Sequence, residues 1–339
     1  MRRVLFFSLC TAFLAVSVTS CNKDDDYFDA EILEGIDEQG AIVGKFSIAA
    51  NRQVQFSRGN LQYQASTDTW KFADHQYDVV GNGNLKRSAT YSGWIDLFVR
   101  GTSGCDHLLP QYASSRYYNE DSVFYSEGYN NHWYFILKDI SETPYDWGSN
   151  VISNGGNAEN LWRTLTKKEW HYLLFDREKA KELLGLAVID KKHYGLIILP
   201  DGWTTPDGLH FTSIDMYLSD VGDYTVNKKR NNVTEETSLY KDNIFTRSEW
   251  IKMQQNGAVF LPITGYTTEW PEGYEPNNEA DGLDISWIGC GFYWTSSYYR
   301  DESGYNNHFP YYIRFEYGAI VIVGSSDLLC AVRLAKDVK

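Results

Sequence analysis

The sequence predicts an α+β protein with two helices, mainly antiparallel twisted sheets and long ordered loops. Two Thr-x-x-Glu capping boxes, at residues 166–169 and 246–249, each begin a helical segment that precedes an apolar strand pattern. Four more strand patterns rich in aromatic and branched residues follow residue 290. Because the helices are segregated from the strands rather than alternating with them throughout, the α+β class is favoured over α/β.

The N-terminus has the pattern of a signal peptide, assigned to residues 1–20. Arg2 and Arg3 form a positive segment, and residues 4–18 are almost wholly apolar. This stretch is too short to span a bilayer comfortably, and its flanks are those of an exported chain. The alternative is an ordinary secretory signal in which the following cysteine is incidental.

The residues around Cys21 resemble the lipobox of bacterial lipoproteins. Val18-Thr19-Ser20-Cys21 ends the apolar stretch with small residues and a cysteine. The resemblance implies cleavage before Cys21, a diacylglyceryl group on its thiol and a further acyl chain such as palmitate on its amine. More than one chain is needed for stable anchoring, because a single chain binds membranes only marginally.

The segment after Cys21 predicts where the protein is displayed. The charged run Asn22-Lys23-Asp24-Asp25-Asp26 is similar to the signal that sends Bacteroidota lipoproteins to the outer face of the outer membrane. Acidic runs are also ordinary solvated tethers, and both interpretations are compatible. Residues 21–40 are therefore predicted to be an acidic flexible tether, and 41–339 a single domain with an insertion at about 204–243.

Alternating patterns predict the first strands of this domain. Residues 41–48 and 53–57 alternate polar and apolar side chains around a short polar turn, which is typical of a hairpin. A second strand pair is predicted at 60–63 and 70–72. Residues 81–157, rich in Gly, Ser, Asn and Tyr, are predicted to be long ordered loops. We expect the early strands to belong to the same domain as the C-terminus, because a closing C-terminal strand needs an early partner.

An internal repeat organises the middle of the chain. Each capped helix is followed by an apolar strand that ends in Leu-Pro, at residues 196–200 and 258–262. The C-terminal region is then all strand. The predicted strands are residues 291–297, 311–315, 319–323 and 328–334, with a turn at Tyr317-Gly318.

Composition excludes some partners. The formal net charge is −14, and it becomes −16 once Arg2 and Arg3 are removed with the signal peptide. Such a charge argues against nucleic acid, whose binding needs clustered Lys and Arg. The mature chain keeps Cys105, Cys290 and Cys330 beside Cys21. Cys290 and Cys330 lie in apolar strand patterns and are the candidate disulfide; the alternative is three buried thiols that act as small apolar residues.

Three motifs resemble those of bacterial domains with a C-type lectin-like fold. Residues 162–170 (WRTLTKKEW) are similar to their Trp-Arg-Leu-Pro-Thr-x-x-Glu-Trp motif, 293–297 (YWTSS) to their Tyr-Trp-Ser-Ser motif, and 331–334 (AVRL) to their closing strand. Relatives include formylglycine-generating/sulfatase-modifying domains and lectin-like adhesins. The resemblance covers about residues 40–339 and implies the fold, which by itself does not settle function.

The function expected from this resemblance is non-catalytic binding at the cell surface, as an adhesin or as a receptor for carbohydrate or protein. No Cys-rich segment of the formylglycine-generating type is visible, and the histidines are scattered. Two alternatives remain open: a structural subunit of a surface assembly or pilus, and an enzyme of glycan processing or of the formylglycine-generating group. The sequence predicts no cofactor and no catalytic set, and leaves the oligomeric state open.

The candidate ligand-binding residues are aromatic and amide side chains in the loops over the C-terminal strands. Aromatic faces stack on sugar rings or on partner proteins, and amides supply directed hydrogen bonds. The candidates are Trp270, Tyr274, Asn277, Asn278, Trp287, Tyr298, Tyr299, Tyr305 and Asn306. Glu275-Pro276-Asn277 also matches the Glu-Pro-Asn that animal C-type lectins use for Ca²⁺ and sugar. Glu275 and Asn277 are therefore candidate Ca²⁺ ligands, against the alternative of a plain polar turn.

Overall fold

The structure is a computed structural model that describes residues 34–86, 88–105, 110, 138–213, 217–220, 240–268, 283–284, 290–300, 308–316, 319–324 and 328–339. Within these residues the protein is α+β, as the sequence predicts, with two α-helices and several mainly antiparallel sheets. Helix α1 is Lys167–His171, which a π-helical turn at Tyr172–Asp176 continues, and helix α2 is Arg247–Gln255.

The strands follow in chain order. They are β1 (Phe46–Ala49), β2 (Arg52–Phe56), β3 (Leu61–Gln64), β4 (Thr69–Phe72), β5 (Arg163–Thr164), β6 (Leu184–Ile189), β7 (His193–Ile198), β8 (Tyr217–Asp220), β9 (Ile244–Phe245), β10 (Val259–Pro262), β11 (Tyr266–Thr268), β12 (Leu283–Asp284), β13 (Gly291–Arg300), β14 (His308–Glu316), β15 (Ala319–Gly324), β16 (Leu328–Leu329) and β17 (Leu334–Asp337). Both predicted early strand pairs form, as the hairpins β1–β2 and β3–β4.

One sheet joins the beginning and the end of the described chain. Its strand order is β1-β2-β17-β5. The last strand pairs antiparallel with β2, where Ala335 lies opposite Phe56, and also with β5, where Leu334 lies opposite Thr164. The C-terminal strand therefore has the early partner that we expected from the sequence.

The repeated helix–strand units pack side by side. Both capping boxes form, and the two Leu-Pro strands are neighbours, since β10 pairs antiparallel with β7. The first unit contains one strand more than predicted, because β6 precedes β7 and pairs with it. All six residues of β6 are buried, and a strand without alternation is hard to recognise by a period of two.

The C-terminal strands form a ladder with the order β13-β14-β15-β8. Strands β13, β14 and β15 match three predicted strands and extend them. The fourth, predicted at 328–334, is divided: β16 pairs with β11, whereas β17 belongs to the sheet with β2. Strand β8 lies inside the predicted insertion and pairs in parallel with β15. The predicted turn at Tyr317-Gly318 lies outside the described residues.

Several aromatic side chains of the sequence motifs lie in the core. Trp162, Trp170, Trp250, Tyr293 and Trp294 are each at most 2% exposed. The Trp170 ring lies 5.6 Å from that of Phe56, and the Trp162 ring packs edge-on against Phe72 at 4.9 Å. Trp170 thus joins helix α1 to strand β2, and the Trp250 ring, 5.4 Å from that of Phe260, joins α2 to strand β10.

The last part of the predicted tether, residues 34–40, is packed in the structure. Ile36 forms a bridge with Ile42, and the Asp37 carboxylate accepts hydrogen bonds from the N–H groups of Gln39 and Ala41 at 2.9 and 2.8 Å. Gly35 lies so close to the backbone of Gln254 that a Cβ would collide with it. The prediction of a tether to residue 40 is therefore wrong for its last part, where acidic side chains form turns.

The structure does not contain the predicted disulfide. Cys290 and Cys330 are thiols, both fully buried in one apolar cluster. Tyr293 and Ala331 form a parallel bridge. In this register Phe292 is opposite Cys330, whereas Cys290 lies two residues earlier in the chain and is only a diagonal neighbour of Cys330. Burial in this cluster raises the pKa of the Cys330 thiol, which suits the alternative of a small apolar residue.

Candidate functional site

Two candidate ligand-binding residues, Tyr298 and Tyr299, lie at the far end of β13. Strand β13 pairs with β14 in two stretches, and the register shifts between Trp294 and Tyr298. Beyond this irregularity Tyr299 lies opposite Phe309. The Tyr299 side chain is 37% exposed, which makes it one of the few large apolar side chains at the surface of the described residues.

Tyr299 is braced from inside by a second tyrosine. Its ring lies 6.2 Å from that of Tyr311, at an interplanar angle of 77°. The ammonium group of Lys167 lies 4.4 Å from the centroid of the Tyr311 ring. We call Tyr299, Tyr311 and Lys167 the tyrosine platform. It combines an exposed aromatic face with a cation, a pair that suits sugar rings or the polar rim of a protein partner.

The capping box of α1 positions Lys167. Thr166 caps the helix through its side chain, and Lys167 is the first helical residue. The N–H of Lys167 donates to Ser297 Oγ at 3.0 Å, which docks the start of α1 onto the irregular part of β13. The cation of the platform is thus fixed by the same motif that begins the helix.

A buried arginine supports this part of β13 from elsewhere in the fold. Arg100 is 1% exposed and donates to the carbonyl oxygens of Lys138 and Ser296. Its guanidinium carbon lies 5.7 Å from the centroid of the Tyr298 ring. Burial lowers the pKa of Arg100 to about 10, and nearby Asp139 opposes that change. Ser141 and Ser296 share a hydrogen bond of 2.7 Å, so the loop at 138–141 and the bulge are joined.

The other candidates lie outside the described residues. They are Trp270, Tyr274, Glu275, Asn277, Asn278, Trp287, Tyr305 and Asn306, together with the lipid attachment residue Cys21. Their roles stay predictions. Lys167 and Arg100 were missed by the sequence reasoning, because no local pattern links either residue to tyrosines so distant along the chain.

No group of three or more His, Cys, Asp or Glu side chains in the described ranges is arranged to hold a metal ion. In the same ranges, no helix is long and apolar enough to cross a bilayer.

Comparison with protein-family models, curated proteins and solved structures finds no match to this chain.

Proposed function

We propose that this chain is a non-catalytic lipoprotein displayed on the outer membrane. Its domain has a C-type lectin-like fold and binds a glycan or a protein ligand at the tyrosine platform. The observation that carries the proposal is the Tyr299 side chain, exposed by 37% yet braced against the Tyr311 ring. A rigid exposed aromatic residue loses little conformational entropy on binding, which makes it a good anchor.

The architecture supports the lectin-like part of the proposal. The motif that begins at Trp162 supplies a capped helix, and the motif at Tyr293 and Trp294 supplies buried residues of the long hairpin. The closing strand β17 lies between β2 and β5, so the two ends of the domain meet in one sheet. We expect ligands at the outer end of the hairpin β13–β14, where Tyr299 is exposed.

The motif around Cys21 supports the cell-surface part of the proposal. Cys21→Ser removes the thiol that would carry the diacylglyceryl group. We expect the variant to lose labelling by a radioactive fatty acid and to leave the membrane fraction of cells. Labelling that persists in Cys21→Ser would show that the anchor lies elsewhere.

The binding experiment compares three forms of the full chain on a glycan array, with Ca²⁺ and with a chelator. The forms are the natural sequence, Tyr299→Ala, and Ile244→Ala, whose 48% exposed side chain lies on another sheet and serves as the matched control. We expect Tyr299→Ala to weaken binding at least tenfold and Ile244→Ala to preserve it. An array that stays blank in both solutions would reject glycan binding, and a signal lost only with the chelator would favour the calcium site of Glu275 and Asn277.

A further inference from the structure

A buried carboxylate holds the loop at residues 80–86. Asp96 is 1% exposed, and no Lys, Arg or His of the described residues forms an ion pair with it. Its oxygens accept hydrogen bonds instead, Oδ1 from Asn84 Nδ2 at 2.8 Å and Oδ2 from the N–H of Val80 at 2.9 Å. The carboxylate is therefore held by neutral donors, without a compensating charge.

Asn84 completes the attachment of this loop. Its side-chain oxygen accepts hydrogen bonds from the N–H groups of Asp96 and Leu97 at 2.8 and 3.0 Å, and its amide also donates to the Gly81 carbonyl at 2.9 Å. Between these contacts the chain forms a 3₁₀ turn at Gly81–Leu85. We call residues 80–86 the latch. Asp96 and Asn84 thus bond to each other in both directions, and the carboxylate also holds the first residue of the latch.

The latch packs against the core and against the edge of a sheet. Leu85 is partly buried and packs against the main apolar cluster, to which Leu97 belongs. The 3₁₀ turn also lies against β12, the edge strand of the sheet β12-β11-β16. Opening of the latch therefore exposes the Leu85 side chain, removes one neighbour of β12 and brings water to Asp96.

The other titratable groups around Asp96 leave its charge uncompensated. Asp78, in the segment before the latch, is itself acidic and pairs with His75 at 2.9 Å. Burial raises the pKa of Tyr293 on β13, so its hydroxyl is neutral, and it donates to the carbonyl of Pro262 at 2.8 Å. The remaining titratable residues of the latch and of β12 are the exposed Lys86 and, in the sequence of the strand, Asp284.

The protonation of Asp96 decides how firmly the latch is closed. Burial above all, and nearby Asp78, raise the pKa of Asp96 to about 6, although the hydrogen bonds from Asn84 and Val80 oppose the rise. In the open latch the hydrated carboxyl has its ordinary pKa of about 3.9. The closed form therefore binds the proton more tightly, so a falling pH favours closure and a rising pH favours opening. We propose that Asp96 and Asn84 form a pH-sensitive latch, which keeps residues 80–86 closed in mildly acidic surroundings and lets them open more often at neutral pH.

Hydrogen–deuterium exchange of the full chain in detergent, measured by mass spectrometry, tests this inference without any substitution. The opening constant of the peptide 79–86 is its exchange rate divided by the intrinsic rate at the same pH. With closed and open pKa values of about 6 and about 3.9, we expect this constant to rise about tenfold between about pH 5 and about pH 7.5. The peptide 184–189 of the buried strand β6, in another sheet, is the reference and is expected to change less than about twofold.

Three variants identify the group that titrates. Asp96→Asn cannot ionise, so the opening constant of the peptide 79–86 should no longer depend on pH. Asp78→Asn and Asp284→Asn, the matched controls, remove the other nearby carboxyls and should keep most of the tenfold rise. The inference is overturned if the natural chain shows no rise, if the peptide 184–189 rises equally, if folded Asp96→Asn keeps the rise, or if either control abolishes it.

Discussion

The two capped helices begin with the same local signal and are used differently. In both, the Thr side chain accepts from the N–H of the Glu, and the Glu carboxylate accepts from the N–H of the Thr. In α1, Glu169 also accepts two hydrogen bonds of 2.8 and 2.9 Å from Arg163. Arg163 in turn donates to Asp337 on the last strand at 2.8 and 2.9 Å.

This difference explains how a short helix is held in place. Helix α1 has five residues and α2 has nine, and isolated helices of either length are unstable in water. Glu169 is buried at 7% exposure and, through Arg163, links its helix to β5 and β17. Among the described residues, the hydrogen bonds of Glu249 are to Thr246, at the start of its own helix. The same cap is therefore a local feature in α2 and part of a tertiary network in α1.

Among the variants that test this comparison, Glu169→Ala should lower the free energy of unfolding most. It removes half of the capping box and the buried carboxylate that pairs with Arg163 and Arg52, so that Arg163 keeps only the half-exposed Asp337 among the described carboxylates. We expect a loss of about 3 kcal/mol in the free energy of unfolding, measured by urea denaturation. The control is Glu249→Ala, with a loss of about 1 kcal/mol. Equal losses would mean that the Arg163 link contributes nothing.

Thr166→Ala and Thr246→Ala should give intermediate and nearly equal effects. Each removes the side-chain acceptor for the N–H of the Glu, and that bond is local in both helices. Thr246→Ala also removes a hydroxyl that donates to the Glu249 carboxylate at 2.8 Å, which is again local. We expect each to cost about 1 kcal/mol by the same measurement. If Thr166→Ala lowers the free energy of unfolding several times more than Thr246→Ala does, the Thr166 side chain also contributes to the network between α1 and the sheet, which would contradict this expectation.

Glu249→Gln should have the smallest effect, and it depends on pH. Hydrogen bonding from the Thr246 N–H lowers the pKa of Glu249. A carboxyl whose pKa is lower in the folded state stabilises the protein above its unfolded pKa, about 4.3, and loses that contribution as the pH falls through the folded value. Gln can still cap but cannot titrate, so we expect a change of at most a few tenths of a kcal/mol at pH 7 and a flatter stability profile below about pH 4. An unchanged acid profile would contradict this assignment.

The sequence predicts the local parts of the fold well. Both capping boxes and both early hairpins follow from spacing and period, because neighbouring residues determine those features. The pairing of β8 with β15 and the link from Arg163 to Asp337 involve residues far apart in the chain, and no local period encodes them. The missed strand β6 is buried on both sides, and the tether was misjudged because acidic side chains can form turns as well as flexible segments.

In the candidate site, too, the sequence predicts some residues, and the fold alone supplies their partners. Aromatic enrichment identified Tyr298 and Tyr299 as candidates, but the partners that brace them, Tyr311, Lys167 and Arg100, are brought there by the fold.

The most direct test of the binding proposal is to observe Tyr299 while a ligand binds. 3-Fluorotyrosine placed at position 299 reports its surroundings through its ¹⁹F resonance, and the same label at the half-buried Tyr91 serves as the reference. With the glycan or protein partner that the binding screens identify, we predict that the resonance at 299 shifts in proportion to occupancy while the reference stays in place. A saturating ligand that leaves the resonance at 299 unchanged would contradict the tyrosine platform as the binding site.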